Sequence, residues 1–177
     1  MEEVRIEGKN IYLRRMTEED VSEDYVRWMN DPEINQFLES RFYKQTVEST
    51  KSYIRSVSND ANYQFGIFIK GTNQHVGNIK IGNINHFHGF ADIGFLIGEK
   101  NYWGKGVATE AIGLASDFAF NTLKLHKLWG GAYSPNLGSV KAFLKNGYQQ
   151  EGIKKSQYLC HGIYVDDILF GKINPNE

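Results

Sequence analysis

The stretch Asn101-Tyr102-Trp103-Gly104-Lys105-Gly106-Val107-Ala108-Thr109-Glu110-Ala111 decides how the rest of the chain is read. It lies between an alternating apolar run (Ala91, Ile93, Phe95, Ile97) and an apolar stripe at helical spacing (Val107, Ala111, Ala115, Phe118). Together these predict a strand, a glycine-rich turn and a helix from about Gly104 to Phe120. Gly104 and Gly106 let the backbone turn tightly and approach a ligand closely. The first amides of the helix lack internal acceptors, and the helix dipole favours negative charge there. Several N–H groups aimed at one point make a nest for phosphate, and Lys105 adds a flexible positive charge. The expectation is an anion site at residues 103–109 suited to a diphosphate; the alternative is a tight turn with glycine for geometry alone. No Gly-x4-Gly-Lys-Ser/Thr occurs, so this is not a Walker loop. The third glycine of a dinucleotide fingerprint is missing too, and the preceding strands read as antiparallel hairpins.

Working outward, Tyr63, Phe65, Ile67 and Ile69 alternate with Gln64, Gly66 and Phe68, and His75 to Ile84 forms a second strand after the Gly71-Thr72-Asn73 turn. With Ala91–Ile97 these make an antiparallel meander. Upstream, Ile11 to Arg14 predicts a first strand. Thr17 is the expected cap of a helix carrying Val21, Tyr25, Trp28 and Met29, Asp31-Pro32 restarts the chain, and Thr46 caps a further helix. Downstream, Lys127 to Tyr133 reads as a strand. Asn136 caps a helix that Gly147 stops, and Tyr148 to Leu159 with Ile163 to Lys172 closes the chain as a hairpin. The order implies an α/β fold with a mixed, mostly antiparallel sheet of about seven strands flanked by helices.

The 177 residues fit a single domain, 1–177, with a core over about 10–172. Hydrophobic residues are 41% and charged residues 23%, which argues against disorder. The 20 basic and 21 acidic residues nearly cancel, so a broad electrostatic grip on nucleic acid is not expected. The lone cysteine, Cys160, forbids an intrachain disulfide and a multi-cysteine zinc site. His75, His86 and His88 lack a ligand context, and no metal is expected. No stretch approaches the roughly 20 apolar residues of a membrane span, and the acidic start is no signal peptide. A cytoplasmic protein with no membrane partner is the resulting expectation.

The opening stretch resembles the acetyl-CoA-binding signature of the GNAT superfamily of N-acetyltransferases, Gln/Arg-x-x-Gly-x-Gly/Ala, mapped onto Trp103-x-x-Gly106-x-Ala108. Trp103 departs from Gln/Arg, a departure similar to the ribosomal-protein alanine acetyltransferase-like branch. A second motif agrees: Asn136-x-x-Ser139 opening a helix that ends in Lys145-x-Gly147-Tyr148. The resemblance implies the GNAT fold with a splayed central strand pair. It further implies that the backbone of Phe95, Leu96 and Ile97 pairs with the pantetheine arm of acetyl-CoA. The pyrophosphate would then lie on Gly104, Lys105, Gly106, Val107, Ala108 and Thr109, beside Trp103, with Asn136 reaching the pantetheine or the departing sulfur. A homodimer is compatible with it.

An amine must lose its proton before it attacks a thioester, and the developing oxyanion needs a donor, here expected from the N–H of Leu96 or Ile97. Many family members protonate the thiolate from a tyrosine in the helix after the Asn; that place is Phe143, which leaves Ser139 as the substitute, or as a residue helping to cap its own helix. Asp92 ranks first as base, ahead of Glu110, His88, Glu33 and Glu39; an amine of lowered pKa would need none. Trp28, Glu33, Arg41 and Phe42 are the expected acceptor-binding residues, within an aromatic-polar cluster that otherwise reads as a helix pair covering the sheet. Asn35 to Phe42 resembles GNAT proteins of bacterial surface-sugar synthesis, which tilts the acceptor toward an amino sugar nucleotide with phosphates on Arg41 or Lys44. Alternatives are acetylation of a protein N-terminus, such as that of a ribosomal protein, and a CoA-binding protein without turnover.

Overall fold

In the computed structural model, which describes residues 4–177, one eight-stranded sheet runs through the molecule. The strands are β1 (Arg5–Glu7), β2 (Ile11–Arg15), β3 (Tyr63–Ile69), β4 (His75–Asn85), β5 (Phe90–Ile97), β6 (Lys127–Tyr133), β7 (Gln149–Cys160) and β8 (Ile163–Ile173). Their order is β1-β2-β3-β4-β5-β6-β8-β7. Every pair is antiparallel except β5 with β6. The eighth strand, β1, was not expected from the sequence: three residues are too few to show alternation.

The helices are α1 (Glu23–Asn30), α2 (Pro32–Asn35), α3 (Val47–Ser56), α4 (Val107–Asn121) and α5 (Leu137–Lys145). The helix expected from Thr17 breaks in two. Thr17 caps only a 3-10 turn over Glu18–Asp20, Val21 is extended, and the Ser22 side chain accepts from the Tyr25 amide to start α1. Thr46 and Asn136 cap α3 and α5 as predicted. The helix of the opening stretch begins at Val107 rather than Gly104, because both glycines are left-handed, with φ of +72° and +83°.

Helices cover both faces. On one, the apolar side of α4 (Val107, Ala111, Ala115, Ala119) and Phe143 of α5 pack on Ile11, Leu13, Phe65, Ile79 and Ile93. On the other, Tyr25 and Trp28 of α1, Ile34 of α2 and Ile54 of α3 form a smaller core with Met16 and Val21. Trp28 is 1% exposed, and burying a side chain of that size stabilises by roughly 3 kcal/mol. No helix among the described residues is long and apolar enough to cross a membrane.

The departure from a regular sheet sits at its centre. Strands β5 and β6 pair only from Phe90 opposite Lys127 to Asp92 opposite Trp129. Beyond that point Ile93–Ile97 and Gly130–Tyr133 diverge without pairing. Gly130 allows the Phe143 ring into the base of this wedge, since a Cβ there would lie 2.6 Å from its Cζ. The Phe95 ring meets Phe143 edge-on at 5.6 Å.

Candidate active site

The wedge exposes one edge of β5. The Gly98 amide donates to Val76 of β4 at 2.9 Å. In an antiparallel ladder the direction alternates, so the Leu96 and Gly94 amides also face β4, while Phe95 and Ile97 present N–H and C=O to the wedge. Two contacts agree: the Ile93 carbonyl approaches Gly130 of β6, and the Ile97 carbonyl accepts from Trp103 Nε1 at 2.8 Å. Of the two amides expected to meet an oxyanion, Ile97 fits and Leu96 does not, because its N–H belongs to the sheet.

At the end of that edge, the 3-10 turn Lys100–Tyr102 leads through Gly104 and Gly106 into α4. No side chain caps this helix. Among the described residues, none accepts a hydrogen bond from the amides of Gly104, Gly106, Val107, Ala108 or Thr109. Gly104, Lys105 and Gly106 are exposed. Five unpartnered donors at a helix N-terminus form a site for an anion. A Cβ at Gly104 or Gly106 would touch nothing within 4 Å, so glycine is needed there for its φ and not for space. This nest, one end of the unpaired β5 edge, fits a diphosphate with an extended arm leading into the wedge.

On the opposite face of β5 lies a cavity of about 500 Å³. Tyr25 and Met29 of α1, the segment Leu38–Ser40 with Gln45, and Thr50 and Tyr53 of α3 form its outer wall. Gln64 of β3, Asn78 and Lys80 of β4, and Gly94–Leu96 of β5 form its floor. A Cβ on Gly94 would meet nothing within 4 Å, so this residue keeps the floor open at the strand shared with the wedge. Glu39 and Lys80 are the charged residues lining the cavity.

Residues 10–149 match the family model described as the acetyltransferase (GNAT) domain. The chain is 31% identical to "Probable N-acetyltransferase YjcK" of Bacillus subtilis, over 97% of this chain and 98% of that protein. The chain belongs to the GNAT acetyltransferase family. It is also 27% identical to the spermidine N(1)-acetyltransferase of Escherichia coli K12, over 90% of this chain and 83% of that one. The spermidine N-acetyltransferase of Vibrio cholerae, solved with CoA and spermine, shares the fold at a TM-score of 0.85 and 21% identity, over 94% and 97% of the two chains. The ribosomal-protein-S5-alanine acetyltransferase of Vibrio fischeri does so at 0.79 and 21%, over 98% of each. This GNAT protein is thus an acetyl-CoA-dependent N-acetyltransferase, with a mixed, mostly antiparallel sheet as expected.

The other expected site residues fall in different places. Asn136 spends its Oδ1 on the Ser139 amide at 3.2 Å, while its Nδ2 has no partner among the described residues. Ser139 is half-buried at the start of α5, and its hydroxyl also has no partner there. Phe143, 1% exposed, is core. Asp92 shares a strand face with Gly94, and its carboxylate accepts from Asn83 Nδ2 at 2.6 Å. It lies near enough to Tyr53 that its charge adds to burial in raising that phenol. Glu110 does structural work: burial pushes its pKa up, but hydrogen bonds from the backbone and side chain of Asn10 and the amide of Ile11 outweigh this and hold it low.

The four expected acceptor residues do not line the cavity. Trp28 lies under Gly98 and donates from Nε1 to Glu99 at 3.0 Å. Glu33 is exposed and paired with Lys100. Phe42 is 59% exposed beneath the Arg41 guanidinium. Arg41 donates to Leu38 O at 2.6 Å, Tyr133 Oη at 3.2 Å and Leu159 O at 2.9 Å. It ties the segment before α3 to β6 and to the β7–β8 hairpin and has little left for a phosphate. The Tyr133 hydroxyl donates to Glu39, bridging the cavity wall and the far arm of the wedge. Burial foremost, then this hydrogen bond, pushes its pKa up to about 12 against the pull of Arg41. Of the residues lining the cavity, Glu39 was a base candidate and Phe95 and Leu96 were expected along the pantetheine arm, whereas Gln64, Asn78 and Lys80 went unread because they look like a solvated strand face. Their signal was the alternation itself, Asn78 and Lys80 opposite Ile79 and Ile81.

Proposed function

We propose that this acetyltransferase acts on the primary amine of a compact, hydroxyl-bearing small molecule such as an amino sugar. The single observation that carries the reading is the cavity sharing Gly94–Leu96 with the unpaired edge of β5, a mainly apolar space into which Gln64, Asn78, Thr50 and Ser40 bring polar groups. Its charges are one carboxylate, Glu39, already paired with Arg41 at 3.5 Å, and one ammonium, Lys80, which suits a monoamine better than a polycation such as spermidine. Arg41 is committed to protein acceptors, so the nucleotide part of an amino sugar nucleotide finds no guanidinium there.

In this reading the amides of Gly104, Gly106, Val107, Ala108 and Thr109 hold the pyrophosphate of acetyl-CoA, Lys105 and Trp103 flank it, and the outward groups of Phe95 and Ile97 align its arm. The thioester supplies an activated acetyl carbonyl. The Ile97 N–H, pointing into the wedge, stabilises charge on that oxygen. Glu39 attracts the incoming ammonium. Asp92, two residues before Gly94 on the same face, receives its proton through water, since it stands outside the wall. Asn136 Nδ2 and the Ser139 hydroxyl face the departing sulfur. Asp92→Asn should lower kcat/KM about 100-fold at pH 7 and much less at a pH where the amine is already neutral; an equal loss at both would remove the base assignment.

A specific feature favours a polypeptide as second reading. Phe42, Tyr43, Ile163 and Tyr164 are exposed aromatic and apolar residues near the Arg41 tie, and they could receive a chain whose N-terminus enters the cavity. Thiol release from acetyl-CoA, measured with D-glucosamine, spermidine and an Ala-initiated peptide, tests both. Fastest turnover of D-glucosamine is expected; preference for spermidine or the peptide overturns the amino-sugar reading.

A further inference from the structure

We infer that Asn78 is a specificity-determining hydrogen-bond donor that reads an oxygen of the acceptor, and that His75 is the residue that turns it toward the ligand. The inference rests on the cavity being the acceptor site. Three buried polar atoms have no partner among the described residues: Ser40 Oγ, Thr50 Oγ1 and Asn78 Nδ2. All three belong to residues of this one cavity. Thr50 and Asn78 are each 4% exposed. Polar groups this deeply buried are ordinarily satisfied. Because all three belong to residues lining one cavity, a ligand there that brings oxygens of its own is the partner within their reach once small side-chain rotations open them to it.

The orientation of Asn78 follows from its neighbour. His75 Nε2 lies 2.9 Å from Gly77 O and 3.0 Å from Asn78 Oδ1. A backbone carbonyl can only accept, so Nε2 carries the hydrogen. The Asn78 atom facing it must then be the acceptor, which leaves the amide NH₂ on the other side as the unpartnered group. The ring cannot rotate to release it. It stacks on Phe68 at 4.9 Å and meets Trp28 and Tyr25 edge-on at 5.1 and 6.0 Å. Burial lowers its pKa, which disfavours a second proton.

A donor fixed in this way selects for an acceptor molecule with a hydroxyl or carbonyl oxygen at that point. The hydroxyls of Ser40 and Thr50 in the outer wall can both give and accept, so they add polar partners without dictating direction. A deoxy analogue would displace water from these groups and return nothing.

Two measurements test the inference. In the ligand-free protein, ¹⁵N NMR of the His75 ring should show the Nε2–H tautomer; the Nδ1–H tautomer would overturn the orientation argument whatever the acceptor. With D-glucosamine at saturating acetyl-CoA, Asn78→Leu should raise the acceptor KM about 10-fold or more and leave that of acetyl-CoA unchanged. His75→Phe, which keeps the ring stacking, should raise it as well and add nothing in the Asn78→Leu background. An independent effect of His75→Phe in that background would make it a packing residue and overturn its role. Gly94→Leu, which projects into open space on the cavity floor, separates the failures. If Gly94→Leu impairs acceptor use and Asn78→Leu does not, the Asn78 inference is wrong. If neither matters, the cavity is not the acceptor site.

Discussion

The two sides of β5 are built on different plans. The proposed coenzyme side is main chain: the outward edge of one strand and five amides without a partner among the described residues, all within residues 95–109, with two glycines at left-handed φ. The proposed acceptor side is side chain: groups from α1, α3, β3 and β4 over a floor of β5, with a connecting segment tied down by Arg41 and Tyr133. A backbone site tolerates wide change in sequence outside its glycines, whereas a side-chain site can be rewritten residue by residue. The similarity to relatives whose names specify different acceptors fits that division.

The largest effect should come from breaking the backbone plan. Gly106→Val places a β-branched residue at φ +83° without any clash of its Cβ. The strain is worth roughly 1–2 kcal/mol or more, and relieving it turns the nest amides away from their common point. Calorimetry should show acetyl-CoA affinity reduced by roughly 30-fold or more, with the melting temperature changed far less than the affinity. Full affinity would mean that the pyrophosphate is held elsewhere and that the glycines serve geometry alone.

A smaller effect should mark the long-range ties of the acceptor side. Arg41→Met keeps the stem but deletes four hydrogen bonds, to Leu38, Glu39, Tyr133 and Leu159. A net loss of about 2 kcal/mol in urea unfolding is expected, hydrogen bonds from a charged group being worth roughly 1.5–3 kcal/mol. Acceptor kcat/KM should fall about 5-fold, since the Glu39 wall loosens, and acetyl-CoA affinity should hold. The same network has a pH signature. Because the Tyr133 pKa is pushed up to about 12 in the fold, its contribution is complete below the ordinary phenol value near 10 and drains away from there to about 12. Acceptor binding should weaken across that window while the phenol ionises. Arg41→Met should move the phenol's titration higher still, because the guanidinium holds it down. A window that stays put would show that Arg41 and Tyr133 are not coupled.

The contrast between the plans also explains what the sequence revealed. The opening stretch was legible because its information is local: a strand period, two glycines and a helical stripe, all between Ala91 and Phe118. Thr46, Asn136 and Gly147 were legible for the same reason, each acting on a helix end beside it. The acceptor side was not, because its meaning lies in pairings across the chain. Arg41 looked like a phosphate ligand until Leu159, 118 residues away, took its donor. Trp28 looked like a pocket wall until Gly98 covered it. Asn78 falls inside the run His75 to Ile84, which was read only as a strand, and no local rule says that α1 and α3 close over its polar face. Leu96 was offered as an oxyanion donor because which amides face outward depends on which strand lies beside β5 and where the pairing stops.

Ser139 tests the boundary between the two plans, where a side chain serves the coenzyme. Its backbone amide is what Asn136 caps, so Ser139→Ala leaves the helix start intact and removes only the unpartnered hydroxyl. A thiol near the ordinary value of about 8.5 leaves readily as the anion above that pH and needs a proton below it. The deficit of Ser139→Ala should therefore depend on pH. It should be a kcat loss of about 5-fold near pH 6.5 that shrinks toward none near pH 9, with acetyl-CoA affinity unchanged throughout. Phe143 cannot take over, since its ring is sealed against Gly130 and Phe170. A deficit that is flat with pH would place the hydroxyl in binding rather than proton transfer. No deficit at any pH would leave the sulfur to water and reduce Ser139 to the residue whose amide Asn136 caps.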